Sequence, residues 1–207
     1  MRINLSINGK AVKAKHGQTI LAVAKKNNIN IENLCFVNSD THKPVCRVCS
    51  VSVQGVDGFV PSCSTPVSEG MTVTTDSPEL DDVRQELVGM ILSEAEISNG
   101  VMLVDLSKDI QKVSRFTDGF NAKNPADSEL NFVKRAGNDF IGIDPLKCIH
   151  CDKCLITCPK GIISRASRGS ETIITFGRDN VSMDDAGCYS CGDCVRVCST
   201  GALYEKV

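Results

Sequence analysis

The sequence predicts an α+β chain in three parts, and three observations divide it. Residues 1–77 are dominated by short alternating apolar runs, residues 78–140 by helical periodicity, and residues 141–207 by a cysteine loop that occurs twice, at an offset of 40 from Cys148 to Cys188. The 207 residues are enough for two or three small modules, each with its own core.

In the first part Ile3, Leu5 and Ile7 alternate with polar residues, Asn8-Gly9 is a hairpin turn signal, and Ala11 to Ala14 form the return strand. Thr19 can cap a helix through Ile20–Lys26 that stops at Asn27-Asn28. Val51, Val53 and Val56 suggest a further strand, and Gly70 to Thr75 a closing strand rich in β-branched residues. Ser77-Pro78-Glu79 opens the connector with proline at the first helical position and an acid in the first turn. Leu80, Val83, Leu87, Val88 and Ile91 then follow at helical spacing, and the helix is expected to reach about Ile97 and stop at Asn99-Gly100. Its apolar stripe can pack within the chain or dock a partner. Asp118-Gly119 and Asn124-Pro125 mark loops. In the third part Cys148–Ile162 aligns with Cys188–Ala202, and Thr172–Phe176 with Asn180–Met183 suggests a β-hairpin between the two copies.

Composition sets bounds on function. A formal net charge of −2 lacks the basic excess of a nucleic-acid binder, and 4% aromatics without tryptophan offers few base-stacking platforms. No apolar run nears the roughly 18 residues needed to span a bilayer. The N-terminal residues alternate, with neither an apolar signal core nor a twin-arginine pair, so a cytoplasmic protein is expected, held at a membrane only through partners. In a reducing compartment its cysteines are metal ligands in preference to disulfides.

There are 12 cysteines, and all fall into three groups. Cys148, Cys151, Cys154 and Cys158 share the spacing C-x2-C-x2-C-x3-C with Cys188, Cys191, Cys194 and Cys198, which is the bacterial two-cluster ferredoxin run. The tight loop supplies three thiolates to a 4Fe-4S cluster, and the fourth comes from the other motif. Cys148, Cys151, Cys154 and Cys198 are therefore expected to hold one cluster, and Cys188, Cys191, Cys194 and Cys158 the other. Zinc sites use paired C-x2-C units across a long gap, which four close cysteines do not suit. Pro159 follows Cys158 as the motif expects, whereas Ser199 replaces it in the second copy. Ile149, Leu155, Ile156, Ile162, Val195, Val197 and Leu203 can form an apolar shell around the clusters. Cys35, Cys46, Cys49 and Cys63, spaced C-x10-C-x2-C-x13-C, suit a 2Fe-2S cluster on a β-rich scaffold, with zinc as the alternative. His150 is most simply an exposed loop residue and His16 a turn residue. His42 is not needed as a ligand beside four cysteines. Lys153, Arg47 and Arg196 either raise cluster potentials or serve solubility. Asp81-Asp82 is a helix-start charge pair.

Three further stretches carry a resemblance. Gly17-Gln18-Thr19-Ile20-Leu21 with Asn33-Leu34-Cys35, Cys46-Arg47-Val48-Cys49 with Val51 and Val53, and Pro61 to Val67 with Gly70 to Val73 are similar to the ferredoxin-like opening of complex I's large iron–sulfur subunit. The same family includes the N-terminal part of iron-only hydrogenases and small subunits of NAD-linked hydrogenases and formate dehydrogenases. The resemblance implies a 2Fe-2S cluster and a β-grasp fold for the first module. It also implies an electron-transfer subunit of an NAD(P)-linked oxidoreductase, relaying electrons between a flavin/NAD-binding diaphorase-type subunit and a catalytic subunit of hydrogenase or formate dehydrogenase type, with ferredoxin as a further partner. Electron bifurcation is an expectation by analogy alone. Two departures stand out. Pro44 occupies a position where the family commonly has glycine, and Ser64–Lys147 lacks the histidine and three cysteines that usually hold a middle cluster. No cysteine remains for a hydrogenase active site, and no dinucleotide fingerprint, P-loop or flavin site is evident, so no catalytic residue is expected. The alternative is a free-standing soluble multi-cluster ferredoxin.

Overall fold

The N-terminal sheet grows from a two-residue turn. In the computed structural model, which describes residues 2–38, 42–93, 137–168 and 172–206, Asn8 and Gly9 adopt φ of 52° and 76°. Left-handed backbone at both positions is what a type I′ turn requires. It joins β1 (Arg2–Ile7) to β2 (Lys10–Lys15), pairing Leu5 with Val12 and Ile3 with Ala14. All four side chains are buried, as is Ile7, so one face of the ribbon enters the core. β5 (Thr72–Thr74) runs parallel to β1, and β3 (Ser50–Val53) lies antiparallel to both β5 and β4 (Phe59–Pro61). The sheet order is β2-β1-β5-β3-β4. β3 ends at Val53, short of the expected Val56. Gly55 and Gly58 take positive φ there, turning the chain and leaving Val56 exposed.

α1 (Ile20–Lys26) supplies the rest of this core. Thr19 caps it, its Oγ1 accepting the Ala22 N–H at 3.3 Å, and Asn27 closes it. Ile20, Leu21, Val23 and Ala24 pack among the sheet residues together with Cys49 and Cys63. The helix start is tied to the loop around Cys63, since Ile20 and Leu21 donate their N–H groups to Thr65 and Ser62.

α2 (Pro78–Ser93) begins at Ser77, whose Oγ accepts the Leu80 N–H. Its inward stripe is Leu80, Arg84 and Val88, all buried. Arg84, 0% exposed, donates through Nη2 to the carbonyls of Ser50 at 2.9 Å and Thr75 at 2.8 Å, and it faces Asp81 at 3.4 Å and Glu32 at 3.8 Å. Packing within the chain therefore uses this face. The expected continuation to Ile97, the stop at Asn99-Gly100 and the loops at Asp118-Gly119 and Asn124-Pro125 lie outside the described residues.

In the C-terminal part β6 (Ile141–Ile143) pairs antiparallel with β9 (Leu203–Glu205), followed by a 3-10 turn at Pro145–Lys147. Two short helices, α3 (Lys153–Thr157) and α4 (Asp193–Val197), pack against each other. The expected hairpin between Thr172–Phe176 and Asn180–Met183 does not form. β8 (Ile173–Phe176) pairs instead with β7 (Ile163–Ala166), the segment just after the first cysteine loop. Gly177 (φ 65°) and Asn180 (φ 50°) turn the chain away, and Met183 is buried in the core beside Phe176, Ile141 and Leu203. Leu155, Ile162, Val195 and Leu203 join this core as expected, and Ile149 is buried, while Ile156 and Val197 are half-buried.

Candidate iron–sulfur centres

The two C-terminal loops repeat in backbone as well as in sequence. His150 and Ser190 take φ of 50° and 56°, and Asp152 and Gly192 take 60° and 76°. Cys158 and Cys198 close the following helices at φ, ψ of −64°, 113° and −68°, 111°. The left-handed turns bend each loop around a cavity. One cavity is lined by Cys148, Cys151 and Cys154 together with Cys198. Its twin is lined by Cys188, Cys191 and Cys194 together with Cys158. Each loop thus faces its own cavity with three sulfurs and the neighbouring cavity with one.

Backbone donors reach these sulfurs. The Ser190 N–H points to Cys188 Sγ at 3.4 Å, and the Leu203 N–H to Cys198 Sγ at 3.3 Å. Burial pushes the Cys151 and Cys194 thiols up to about 11, and raises Cys148 and, further still, Cys154. Repulsion among neighbouring thiolates adds to this. Cys154 feels Cys151, Cys148 and Cys198, whereas Cys194 feels Cys188, Cys191 and Cys158. Such sets are stable as thiolates only against bound positive charge.

The N-terminal group gathers residues from three places. Cys35 follows α1, Cys46 and Cys49 flank a turn entering β3, and Cys63 follows β4. All four are buried. Arg47 turns the short loop with φ of 60°, and the N–H and hydroxyl of Ser50 both donate to its carbonyl, at 3.0 and 2.7 Å. The thiols form two interacting pairs. A hydrogen bond with Cys46 lowers Cys35 to about 6, and one with Cys63 lowers Cys49 to about 7, while Cys46 and Cys63 are raised in return. The Cys35 charge also reaches Cys49 and Cys63, which places all four sulfurs around one centre. His42 comes into the same group, its Nε2 3.0 Å from Cys63 Sγ. Among the described residues no three of His, Cys, Asp or Glu converge as they would on a single metal ion. All three donor sets are made of thiols alone, four to a set, which fits iron–sulfur clusters.

Residues 1–78 match the family described as the 2Fe-2S iron-sulfur cluster binding domain, and residues 147–202 match the 4Fe-4S dicluster domain. The chain carries one 2Fe-2S cluster and two 4Fe-4S clusters. That resolves the zinc alternative at the first group. The chain is 31% identical over 178 residues to the NADPH-Fe(3+) oxidoreductase subunit alpha of Geobacter sulfurreducens, a match covering 83% of this chain and 21% of that one. It is 29% identical over 155 residues to the NAD-reducing hydrogenase HoxS subunit gamma of Cupriavidus necator, covering 75% of this chain and 65% of that one. A crystal structure of NAD+-reducing [NiFe]-hydrogenase in the H2-reduced state contains a chain that superposes with a TM-score of 0.85 at 20% identity, covering 99% of this chain and 88% of that one, which establishes a shared fold. The chain thus spans only part of the length of the curated relatives it matches. The relation to complex I's large iron–sulfur subunit and to iron-only and NAD-linked hydrogenases, drawn from short motifs, holds.

Other residues sort themselves by burial. His16 is an exposed turn residue, and His150 lines the first cavity, its carbonyl accepting from Arg165. Arg196, 75% exposed, pairs with Asp193. Lys153 is buried and donates to the Ser199 hydroxyl at 2.8 Å. That contact explains the serine at the position of Pro159. The repeat alignment carried the signal, as the two substitutions stand in opposite copies. Among the described residues no helix is long and apolar enough to cross a membrane.

Proposed function

We propose that this chain is the electron-transfer iron–sulfur subunit of a multi-subunit NAD(P)-linked oxidoreductase of hydrogenase type. It relays electrons between a flavin/NAD-binding subunit and a catalytic or ferredoxin-reactive subunit in the cytoplasm. The observation that carries this is the pair of cavities in which three cysteines of one loop meet the fourth cysteine of the other. In this reading Cys148, Cys151, Cys154 and Cys198 hold one 4Fe-4S cluster, Cys188, Cys191, Cys194 and Cys158 the second, and Cys35, Cys46, Cys49 and Cys63 the 2Fe-2S cluster. When bound, the clusters take up and release single electrons. The chain's own residues hold the thiolates, donate N–H groups to sulfur and exclude water with Ile141, Phe176 and Met183.

The N-terminal sheet, with β1 and β5 parallel and α1 packed on one face, supports a β-grasp reading of residues 1–77. In this division residues 78–140 connect it to a two-cluster module over 141–207. The relatives' names, an NADP-reducing and an NAD-reducing hydrogenase, support partners of the hydrogenase kind; the diaphorase-type and formate dehydrogenase partners rest on the resemblance of the sequence alone.

The test has two arms. Anaerobically reconstituted protein should hold about ten iron atoms, and Cys198→Ser should remove the cubane signal of the first loop while sparing the 2Fe-2S signal. Purified anaerobically from its host, the tagged chain should run as a large flavin-containing complex. A lone monomer would favour the free carrier instead.

A further inference from the structure

The repeat is symmetric in backbone and asymmetric in charge. The residue before the third cysteine is Lys153 in one copy and Asp193 in the other. Lys153 is 4% exposed and lines the cavity of Cys148, Cys151, Cys154 and Cys198. Its Nζ donates to the hydroxyl of Ser199, which is buried and directly follows Cys198. The ammonium is therefore fixed against the crossing ligand of its own cavity. No equivalent contact can form in the twin, because Pro159 stands at the matching position and has no hydroxyl.

The nearby acids of the two loops each have an arginine partner of their own. Asp152, also at the first cavity, is matched by Arg165. Asp193, the neighbour of Cys194 in the sequence, does not line the second cavity and pairs with Arg196 on the same helix. Lys160 lines the second cavity, with Nζ 5.7 Å from the centroid of the Tyr189 ring, but it is exposed and screened by water. Among the described residues of the C-terminal part no other lysine or arginine is buried. The Lys153 charge also favours the thiolate of Cys151.

We propose that Lys153, held by Ser199, makes the two 4Fe-4S clusters inequivalent and keeps the one beside Cys148, Cys151, Cys154 and Cys198 at the higher potential. One-electron reduction adds negative charge to a cluster, and a buried cation stabilises that state more than a screened one does. No bond forms or breaks; an electron shared between the two clusters reduces one as it leaves the other oxidised. It therefore resides beside Lys153, away from the cluster whose Cys191 is exposed. The proposal rests on the ligand reading above.

The test is an EPR-monitored redox titration of the anaerobically reconstituted chain and of Lys153→Met. Wild type should show two separated cubane midpoints. Lys153→Met should lower the upper one so that, at the wild-type midpoint, the reduced-to-oxidised ratio falls by about tenfold (59 mV for one electron). The lower cubane and the 2Fe-2S midpoint should not move, and Lys153→Arg should restore the gap. The double variant Lys153→Met/Ser199→Ala, which removes the hydroxyl left without its donor, should show the same shift and guards against loss of fold in the single one. Coincident wild-type midpoints, or equal shifts in both cubanes, would overturn the proposal. A wild-type iron content near two would overturn the ligand reading itself, and the proposal with it.

Discussion

Nε2 of His42 lies 3.0 Å from Sγ of Cys63. The imidazole is tilted 60° against Phe36 at a centroid distance of 5.0 Å, and Nζ of Lys25 sits 4.4 Å from the centroid of Phe36. Burial lowers the His42 pKa and so favours the neutral ring. A cysteine thiolate carries no proton, so the bond requires the imidazole to donate from Nε2. A donor on a ligand sulfur stabilises the more negative, reduced state of the cluster it serves.

His42→Phe should therefore lower the 2Fe-2S potential while retaining an aromatic ring against Phe36. The expected shift is about 30–60 mV, roughly three- to tenfold in the reduced-to-oxidised ratio. Redox titration monitored by EPR would read it, with the two cubane potentials as internal controls. An unmoved 2Fe-2S midpoint would show that the contact carries no weight.

A second prediction concerns the β6–β9 ladder, where Gly142 pairs with Tyr204 and the tyrosine ring lies over the glycine. A Cβ at Gly142 would stand 2.5 Å from Tyr204 Cε2 and 2.6 Å from its hydroxyl oxygen. Gly142→Ala must displace the ring, and because Tyr204 is 43% exposed its outer end can swing toward solvent, so the cost is about 0.5–1 kcal/mol. Thermal loss of cubane absorbance should come at a lower temperature. Adding Tyr204→Ala should recover part of that loss, because the clash disappears with the ring. Strictly additive effects of the two substitutions would disprove the clash.

What the sequence made legible follows from rules that act over short distances. Cysteine spacing encodes which sulfurs can share a cluster, Asn8-Gly9 encodes a turn, and Thr19 encodes a helix start. Contacts between distant segments were harder to foresee. His42 and Cys63 lie 21 residues apart, and Lys153 and Ser199 lie 46 apart. β8 contained a correct strand signal but found its partner in β7, because Gly177 and Asn180 turn the following residues out of register. The apolar stripe of α2 was recognisable, yet its centre is a charged residue that no hydrophobic pattern would select.

That residue, Arg84, carries the last prediction. It joins α2 to the N-terminal sheet through the carbonyls of Ser50, the neighbour of Cys49, and Thr75. Its side chain is fully buried, and its Nε has no hydrogen-bond partner. Glu32 and Asp81 face its charge, so removing the guanidinium leaves a cavity and two carbonyls without their donor, and withdraws a buried cation from beside both acids. Arg84→Ala should destabilise the sheet by about 3–5 kcal/mol. Arg84→Lys should recover only part of this, because a single ammonium nitrogen can replace Nη2 at the two carbonyls but cannot at the same time replace Nη1 beside Asp81 and Glu32. In denaturant titrations of the reconstituted chain, 2Fe-2S absorbance should be lost at a lower midpoint while the cubane signal holds. An unchanged 2Fe-2S midpoint would mean that α2 adds nothing to the scaffold around Cys49.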